Sequence, residues 1–516
     1  LNSKMDSDAF LDLTEIQKFF FGRSIFITGG TGLVGKVLVE KLLRCCPGIT
    51  MLYLLVRPKR NLSPEARGEK LFKTELFKKL KEVFPNFPKK VTYIEGDLQK
   101  ERLGISDADF KLLQDNVSIV FHSAARVQFN DPLRLAVQHN VIATKAFVDM
   151  CHELPHVISV VHVSTSYVRR EDDGYVLERV PKMKVTPKQI LDALEWMDPG
   201  SEQAVCDYLL EGKLTTYLVT KALGEIVVEE NRGDLPTAIV RPCNISPTWK
   251  DPFPGWVDSV QGVSGLMLAG AKGVLRTLRS VRGLKINLIP VDIVVNSMIA
   301  SAWHVGTKKP DNVFVVNCVI DYDKLPEGDT AILQVVLKKR DEYPLANVFR
   351  YPDFTIHYNP IAYHFHALWD QWIPAIIVDS LLFIFTGKTV LIKVYKKINF
   401  LYGIFHRLGR TPWICKLENF TALRKSLQDK DQEIFFLNAD DIDWIQYMDD
   451  CLYGGRKFLA HEPDSNIPYA RKKAKVWWFV TTVMKWCLLF YIFYYFFYEY
   501  VSNIFFKDDS QLSINS

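Results

Sequence analysis

The stretch S-I-F-I-T-G-G-T-G-L-V-G-K, residues 24–36, decides the fold of this chain. Its first five residues are mostly apolar and β-branched, a composition typical of a buried parallel strand. Gly29, Gly32 and Gly35 follow directly, and the apolar residues after them recur at helical spacing. The glycines therefore stand where a strand passes into a helix, which is the position of a phosphate-binding turn in a dinucleotide-binding βαβ unit.

Each glycine has a separate role in such a turn. Gly29 allows the tight turn, Gly32 lets backbone N–H groups approach a pyrophosphate, and Gly35 lets the helix pack closely against its strand. A flexible glycine loop without a ligand is the alternative, and the order of strand, loop and helix favours the dinucleotide interpretation. The candidate cofactor-binding positions of this turn are Thr28, Gly29, Thr31, Gly32, Leu33 and Gly35.

Composition narrows the class of protein. A chain of 516 residues with 48% hydrophobic content can bury two or three domains. Its net charge of +5 is small for this size and gives no support to nucleic-acid binding. The nine cysteines include no C-x-x-C pair, so we expect neither a metal site nor a disulfide framework, and a reducing compartment is favoured.

The second strand predicts the type of cofactor. Residues 51–56, M-L-Y-L-L-V, read as a parallel strand, and Arg57, Lys59 and Arg60 follow it. NAD sites usually carry an acidic residue there for the ribose hydroxyls, whereas a basic residue suits a 2′-phosphate. NADPH is therefore favoured, with a solvated basic turn as the alternative.

Further strands are expected at residues 91–94, 117–121 and 157–163, which predicts an α/β fold with a doubly wound parallel sheet. Ala124 and Ala125 follow the fourth strand, where small residues let the backbone lie against the cofactor ribose. His122 in the same place is interpreted as a structural strand-end histidine rather than a catalyst.

The fifth strand carries Ser164, Thr165 and Ser166 to the edge of the sheet where ligands bind. Downstream, Tyr217 and Lys221 are four residues apart in a helical segment and so share one face. In this arrangement a hydroxyl positions a substrate carbonyl and the tyrosine protonates the developing alkoxide. The lysine lowers the pKa of the phenol and holds the nicotinamide ribose.

The Y-x-x-x-K spacing alone is a weak signal, because it recurs at Tyr453 and at Tyr469. Only the pair at Tyr217 follows the hydroxyl-bearing strand and the glycine turn. Thr165 is the preferred catalytic hydroxyl, with Ser166 as the alternative.

Longer motifs point to one family. T-G-x-x-G-x-x-G at residues 28–35 resembles the fingerprint of the extended short-chain dehydrogenase/reductase superfamily. From about residue 16 to residue 300, and more loosely beyond, the chain resembles the alcohol-forming fatty acyl-CoA reductases of that superfamily. The motifs that carry this resemblance are GKVLVEKLLR (35–44), FHSAA (121–125), VSTSY (163–167), YLVTKALGE (217–225), IVRPCNISPTWKDPFPGWVDS (239–259), GLMLAGAKGVLRTLR (265–279) and LIPVDIVVN (288–296).

The resemblance implies NADPH-dependent reduction of a long-chain fatty acyl-CoA to a primary alcohol and free CoA, by two hydride transfers through an aldehyde. It places Asp97, with Leu98 beside it, at the adenine, and it implies that Asn140 orders the active-site helix. Cys243 and Asn244 depart from the family pattern, and Asn244 puts a polar group near the expected substrate side.

The expected domains are a catalytic Rossmann domain at 16–300, a connecting region at 301–354, a helical domain at 355–470 and a membrane segment at 476–501. The apolar run at 373–386 is short for a bilayer and contains Asp379, so a buried or membrane-surface helix is expected there. His364 and His366 have no accompanying third ligand at a recognised spacing and are expected to be structural.

Residues 476–501 are long, apolar and aromatic enough to span a bilayer. Lys485 lies inside this run, and a charge in the bilayer core is costly, so a helix that lies at the membrane interface is the alternative to a spanning one. The basic residues Arg471, Lys472, Lys473 and Lys475 precede it and predict a single-pass protein whose catalytic part faces the cytosol. The family resemblance suggests the peroxisome or the endoplasmic reticulum. The expected partners are an acyl-CoA and the bilayer, and the oligomeric state stays open.

Two other functions share part of this pattern. A sterol-type dehydrogenase would have the glycine turn, Tyr217, Lys221 and a C-terminal anchor, but it would lack the motifs at 239–259 and 288–296. A non-catalytic nucleotide-binding scaffold on a membrane would have no need of Thr165, Tyr217 and Lys221 together.

Overall fold

The computed structural model describes residues 11–58, 62–168, 174–210, 215–327, 333–410 and 412–506. Its centre is a seven-stranded sheet in which every neighbouring pair is parallel. The strands are β1 (Ser24–Thr28), β2 (Met51–Val56), β3 (Val91–Glu95), β4 (Val117–His122), β5 (Ser159–Val163), β6 (Thr237–Pro242) and β7 (Phe314–Cys318). Their spatial order is β7-β6-β5-β4-β1-β2-β3, so the order reverses between β1 and β4. The predicted doubly wound α/β fold is confirmed.

All five residues of β1 are buried because the sheet is covered on both faces. Successive side chains of a strand point to opposite faces. Ile25 and Ile27 accordingly belong to one hydrophobic cluster, and Phe26 belongs to another. This explains why the strand is a continuous apolar run rather than an alternating one.

Six helices of the described residues are longer than 12 residues. They are α1 (Leu33–Cys45), α2 (Thr216–Asn231), α3 (Val291–Lys308), α4 (Pro360–Thr386), α5 (Leu391–Arg410) and α6 (Ile467–Phe506). The other α-helices are Glu15–Phe20, Pro64–Phe72, Lys78–Val83, Asp107–Asn116, Leu133–Val137, Ala143–His152, Pro187–Trp196, Pro199–Leu210, Gly262–Ala271, Leu333–Lys339, Glu418–Ser426, Asp429–Ile434 and Trp444–Gly454. Three short parallel pairs join Asn244–Ser246 to Leu288–Pro290, Thr277–Arg279 to Thr355–His357, and Tyr175–Val176 to Ile414–Cys415.

The C-terminal part packs onto the sheet domain. The ammonium of Lys41 on α1 donates to the carbonyl oxygen of Ile434 at 2.5 Å. The amide of Asn317 in β7 donates to the carbonyl oxygen of Lys416 at 3.0 Å. Strand β7 itself comes from the range expected to be a connecting region, so the sheet draws on residues beyond 300.

The helix that contains the apolar run at 373–386 is longer than the sequence indicated. Ile373–Thr386 continues, through a π-helical turn at Leu368–Trp372, a helix that begins at Pro360. Pro360–Thr386 is 27 residues long and apolar enough to cross a membrane, as is the terminal helix that contains residues 476–501. The expectation of one candidate membrane segment was therefore wrong, and the described residues contain two.

Candidate active site

The glycine turn is shaped for a close approach of backbone to an anion. Gly29 has a φ of +75°, and a Cβ there would lie 2.6 Å from the backbone nitrogen of Ala124. A Cβ on Gly35 would lie 2.2 Å from the carbonyl oxygen of Gly29, so the helix can pack here only on glycine. Gly32 is exposed at the N-cap of α1, and no side chain caps the first turn. The N–H groups of that turn therefore fit a pyrophosphate.

The ends of β1 and β4 are joined beside this turn. Thr28 Oγ1 lies 2.8 Å from His122 Nδ1 and accepts a weaker bond from the backbone nitrogen of Ala124 at 3.4 Å. Burial, and then the charge of Lys221, lower the pKa of His122 to about 3, which keeps the ring neutral. His122 is therefore a satisfied strand-end residue. Thr31 and Leu33 are partly buried on the turn, whereas Ala125 is exposed.

Arg57 and Asp97 lie at the ends of β2 and β3, which are neighbours in the sheet. Arg57 is exposed, and its carbonyl oxygen accepts a bond from the guanidinium of Arg67. Asp97 accepts a bond from the backbone nitrogen of Gln99, and the next residue, Leu98, packs against the core. The pKa of His139 is lowered, first by burial, then by Arg126 and then by Arg57, whereas Asp97 raises it. Both Arg57 and Asp97 lie close enough to act on this one ring. Arg57 and Asp97 therefore share one corner of the sheet edge. Lys59 and Arg60 lie outside the described residues.

The three hydroxyl residues follow β5 directly and are buried. The chain after β5 stays paired with β6 as far as Ser166, because the backbone nitrogen of Ser166 donates to the carbonyl oxygen of Pro242 at 3.0 Å. Within the described part of the chain, Thr165 Oγ1 accepts a single long bond, of 3.4 Å, from the backbone nitrogen of Tyr167. The hydroxyls of Ser164 and Ser166 are buried and have no hydrogen-bond partner within the described residues.

Helix α2 carries the tyrosine and the lysine. The ammonium of Lys221 donates to the carbonyl oxygen of Val163 at 2.7 Å and lies 3.4 Å from His162 Nε2. Burial lowers the pKa of Lys221 to about 8, against the opposing effect of Glu225. Tyr217 precedes the lysine by one turn on the same face, so the pair that the sequence predicted lies at the end of β5.

The phenol of Tyr217 is free to meet a ligand. Among the described residues nothing forms a hydrogen bond with its phenolic oxygen. Burial alone raises the pKa of this phenol, so the expected lowering of that pKa by Lys221 is not observed in the structure. Its ring packs edge-on against Phe129, with 5.5 Å between ring centroids. The contact fixes the ring while leaving the hydroxyl unpaired.

Asn140 supports α2 from the side. It lies in a π-helical turn at Gln138–Ile142, and its amide nitrogen donates to Thr220 Oγ1 at 3.1 Å. Its side-chain oxygen accepts a bond from the backbone nitrogen of Arg126 at 3.1 Å. A Cβ on Gly224 would lie 2.7 Å from the carbonyl oxygen of Asn140, so the two helices meet closely. Asn140 thus contacts the residue that precedes Lys221.

Sequence reasoning missed several residues of the site. His162 contacts Lys221, and within the described residues its Nδ1 has no hydrogen-bond partner. Burial strongly lowers the pKa of its ring. Its signal in the sequence was a histidine inside an otherwise mostly apolar strand. Arg241 forms a buried ion pair with Glu225 on α2, with Nε 2.8 Å from Oε1. Trp413 Nε1 donates to the carbonyl oxygen of Ser166 at 2.8 Å, and nothing in the sequence indicated this contact.

The family departure at Asn244 has a local explanation. Its amide nitrogen donates to the phenolic oxygen of Tyr167 at 2.8 Å and to the carbonyl oxygen of Asn287 at 3.0 Å. The amide nitrogen is therefore engaged by protein groups. In the C-terminal part, His366 Nδ1 lies 3.0 Å from Asp370 Oδ2, and the described residues include no cluster of three potential metal ligands.

Comparison with known proteins assigns the chain to a family. An NAD-binding family model described as "Male sterility protein" matches residues 27–298, and a second model with the same description matches residues 370–462. Fatty acyl-CoA reductase 1 of Gallus gallus is 35% identical over 460 residues, which cover 89% of each chain. The chain belongs to the fatty acyl-CoA reductase family. The Homo sapiens reductase 1 is 34% identical over 89% of each chain, and the Bos taurus reductase 2 is 34% identical over 90% of each chain.

Two solved reductase domains have a fold similar to that of this fatty acyl-CoA reductase family member. The reductase domain of a nonribosomal peptide synthetase from Mycobacterium tuberculosis superposes with a TM-score of 0.54 at 14% identity, covering 88% of this chain and 96% of that one. The terminal R domain from the myxalamid biosynthetic pathway gives a TM-score of 0.50 at 17% identity, covering 85% and 91%. The family predicted from the motifs is confirmed, and the NAD-binding match supports a nicotinamide cofactor.

Proposed function

We propose that this protein reduces a long-chain fatty acyl-CoA to a primary alcohol and releases CoA, with NADPH as reductant. The observation that carries the proposal is the contact of Lys221 with the carbonyl oxygen of Val163. It fixes the helix that bears Tyr217 at the strand end where the hydroxyl residues begin. The site thus combines a proton donor, a cation and a hydroxyl at the carboxyl edge of the sheet.

The residues present fit a dinucleotide. The first turn of α1 has free N–H groups, and Gly32 at its N-cap leaves room for a pyrophosphate to approach them. The small residues Ala124 and Ala125 leave room for a ribose of the cofactor. Asp97 would lie at the adenine and Arg57 at the 2′-phosphate, because each ends a neighbouring strand on that side. When bound, the reduced nicotinamide would supply a hydride to the substrate carbonyl carbon in each reduction.

In the first reduction the protein stabilises charge. As the thioester carbonyl oxygen becomes negative, the hydroxyl of Thr165, or of Ser166 as the alternative, and the phenol of Tyr217 donate hydrogen bonds to it. Collapse of the tetrahedral adduct breaks the carbon–sulfur bond and releases CoA, which leaves an aldehyde at the same hydroxyls.

In the second reduction the protein supplies a proton. Tyr217 transfers its phenolic proton to the alkoxide formed from the aldehyde, which gives the alcohol. The positive charge of Lys221, one helical turn away on the same face, would stabilise the resulting phenolate. The proton is then replaced from solvent.

We place the protein on an intracellular membrane through α6. The apolar part of this helix is exposed throughout, and four basic residues at 471–475 precede it, which favours a catalytic domain on the cytosolic side. The peroxisome and the endoplasmic reticulum are the proposed locations.

The test is product analysis. Purified full-length protein is incubated with NADPH and acyl-CoAs of graded length, and the products are separated by gas chromatography. We expect primary alcohols. A parallel incubation offers a hydroxysterol with NADP⁺. Turnover of the sterol alone would identify a sterol-type dehydrogenase, and a protein that binds NADPH without turnover of either class would be a scaffold.

A matched pair of variants ties the product to the site. Tyr217→Phe should lose the alcohol. Tyr453→Phe should keep it, because Tyr453 has the same Y-x-x-x-K spacing but bonds to Asp464 on the exposed surface. Equal losses in both variants would contradict the assignment.

A further inference from the structure

Helices α4 and α5 form an antiparallel hairpin, residues 360–410, that projects apolar side chains into solvent. The turn between them is short, with Gly387 in the left-handed region at a φ of +66°. Asp379 on α4 is buried, and its carboxylate accepts bonds from the backbone nitrogens of Val390, Leu391 and Ile392 at 2.8 to 3.0 Å. The carboxylate therefore clamps the first turn of α5 onto α4.

The hairpin is attached to the protein body on one side. The phenol of Tyr395 on α5 donates to the carbonyl oxygen of Val274 at 2.7 Å. The guanidinium of Arg350 donates to the carbonyl oxygens of Gly273 and of Asp370 on α4. Ala375, Leu391 and Tyr395 form a small buried cluster at this junction. Both helices are thus held against the body, and α5 cannot separate from α4 without losing these contacts.

The opposite side of α4 exposes apolar side chains at 361–368 and again at 376–385, with buried or partly buried residues between the two stretches. Near the start, Ile361 is 78% exposed, and near the end Ile384 and Phe385 are 74% and 82% exposed. The large apolar side chains exposed on the hairpin are Ile361, Phe365, Leu368, Ile376, Ile377, Leu381, Phe383, Ile384, Phe385, Val390, Val394 and Phe400. A patch of this extent on a folded protein marks a surface that is covered by a partner.

The charge of the hairpin indicates what that partner is. The hairpin contains six Lys and Arg, all from residue 388 onward, and two acidic residues, Asp370 and Asp379, both on α4. Lys393, Lys396 and Lys397 on α5 are exposed. Lys393 interacts electrostatically with the buried Asp379 but, within the described residues, forms no salt bridge with it. A helix pair that combines an exposed apolar side with exposed lysines is typical of a protein surface that lies on an anionic bilayer.

We propose that the hairpin lies in the plane of a membrane surface, with the apolar side of α4 in the boundary between acyl chains and headgroups and the lysines of α5 at anionic headgroups. Helix α4 is long enough to cross, at roughly 40 Å against a hydrocarbon core of about 30 Å. Crossing would nevertheless draw Asp379 and the basic α5 into hydrocarbon, because the clamp holds α5 beside α4. Only about 10 Å of helix extends beyond Asp379.

Depth-dependent quenching tests the contact with lipid. Full-length protein carrying Phe385→Cys and Cys487→Ser is labelled with an environment-sensitive fluorophore and reconstituted into phosphatidylcholine vesicles with or without phosphatidylserine. Brominated lipids should quench the probe, and shallow bromines should quench it more than deep ones. The same probe at Val83→Cys, an exposed position of the catalytic domain, should not be quenched. Equal, weak quenching at both positions would overturn the proposal.

Accessibility distinguishes a surface hairpin from a crossing helix. In sealed vesicles a membrane-impermeant maleimide should label Lys388→Cys, at the hairpin turn, to the same extent as Val83→Cys without permeabilisation. Labelling of Lys388→Cys only after permeabilisation would show that α4 crosses. A blue-shifted probe at residue 385 that responds to protein concentration but not to brominated lipid would identify a second copy of the chain as the partner. Either result would overturn the proposal.

Charge substitution tests the anionic component. Replacing Lys393, Lys396 and Lys397 by Gln should reduce probe quenching in phosphatidylserine vesicles and leave it unchanged in phosphatidylcholine alone. The matched control replaces Lys111, Lys145 and Lys188 by Gln, which removes the same charge from the catalytic domain. Equal effects of the two triple variants would show that net charge, rather than the hairpin, sets the interaction.

Discussion

The ammonium nitrogen of Lys221 lies 2.7 Å from the carbonyl oxygen of Val163, the last residue of β5. This bond joins the helix that carries the proton donor to the strand that leads into Ser164, Thr165 and Ser166. It also holds a buried cation one helical turn from Tyr217 on the same helix face.

The pH dependence of the reaction should report on Lys221. Because burial lowers its pKa to about 8, the lysine is protonated below that pH and loses its charge above it. The kcat/KM for a fatty aldehyde should therefore fall with rising pH around a midpoint near 8, which reflects the free enzyme. Lys221→Arg should remove this limb from the accessible range, since arginine stays charged. A limb near the usual lysine value of 10.5 in the wild type would contradict the argument.

Replacing Gly35 by Ala should damage the cofactor site. The new Cβ would lie 2.2 Å from the carbonyl oxygen of Gly29, so the turn or the helix must move. We expect a loss of about 1–3 kcal/mol in the free energy of unfolding and weaker NADPH binding. The control is Gly403→Ala on α5, where a Cβ would meet no atom within 4 Å. Thermal unfolding and cofactor fluorescence titration measure both effects, and equal results for the two variants would refute the steric reason.

Arg57→Ala should change the choice of cofactor. A charge-assisted bond to a 2′-phosphate contributes about 1.5–3 kcal/mol, so the apparent KM for NADPH should rise about tenfold or more. The KM for NADH should change little, because NADH has no 2′-phosphate. Lys111→Ala, on the exposed surface of the same domain, is the control for net charge. A similar change in both cofactors would remove Arg57 from the phosphate site.

Two single substitutions should separate Thr165 from Ser166. Thr165→Ala should lower kcat by about 10²-fold or more if its hydroxyl stabilises the substrate oxyanion. Thr165→Ser should restore much of that loss because it keeps the hydroxyl. Ser166→Ala should have the smaller effect. A larger loss in Ser166→Ala than in Thr165→Ala would transfer the role to Ser166, whose buried hydroxyl has no partner among the described residues.

The strands of the sheet could be predicted from the local sequence pattern alone. Strands β1 and β2 have the bounds expected from their apolar runs, and β5 begins two residues later than expected. Each run is buried on both faces, so its composition alone identifies it. The sequence did not predict that α4 is one continuous helix. A π-helical turn at 368–372 joins its two apolar pieces, and in the sequence each piece looks like a separate short helix.

The rest of the site depends on long-range packing, which a sequence pattern does not contain. Trp413 reaches the carbonyl oxygen of Ser166 from 247 residues away. Glu178 accepts bonds from the backbone nitrogens of Asn317, Asn419 and Phe420, which ties the C-terminal part to the sheet. Burial of Glu178 raises its pKa to about 7, an environment that only the assembled fold creates. Such contacts join segments that no local motif connects.

One site should perform both reductions, and the stoichiometry of a single reaction measures whether it does. Oxidised cofactor, free CoA and fatty alcohol are measured together after incubation of the full-length protein with NADPH and a long-chain acyl-CoA. We expect two oxidised cofactors for each CoA and each alcohol. Tyr217→Phe should bind NADPH normally but form alcohol at least about 10²-fold more slowly. One oxidised cofactor per CoA with aldehyde as the end product, or near-normal alcohol formation by Tyr217→Phe, would contradict this expectation.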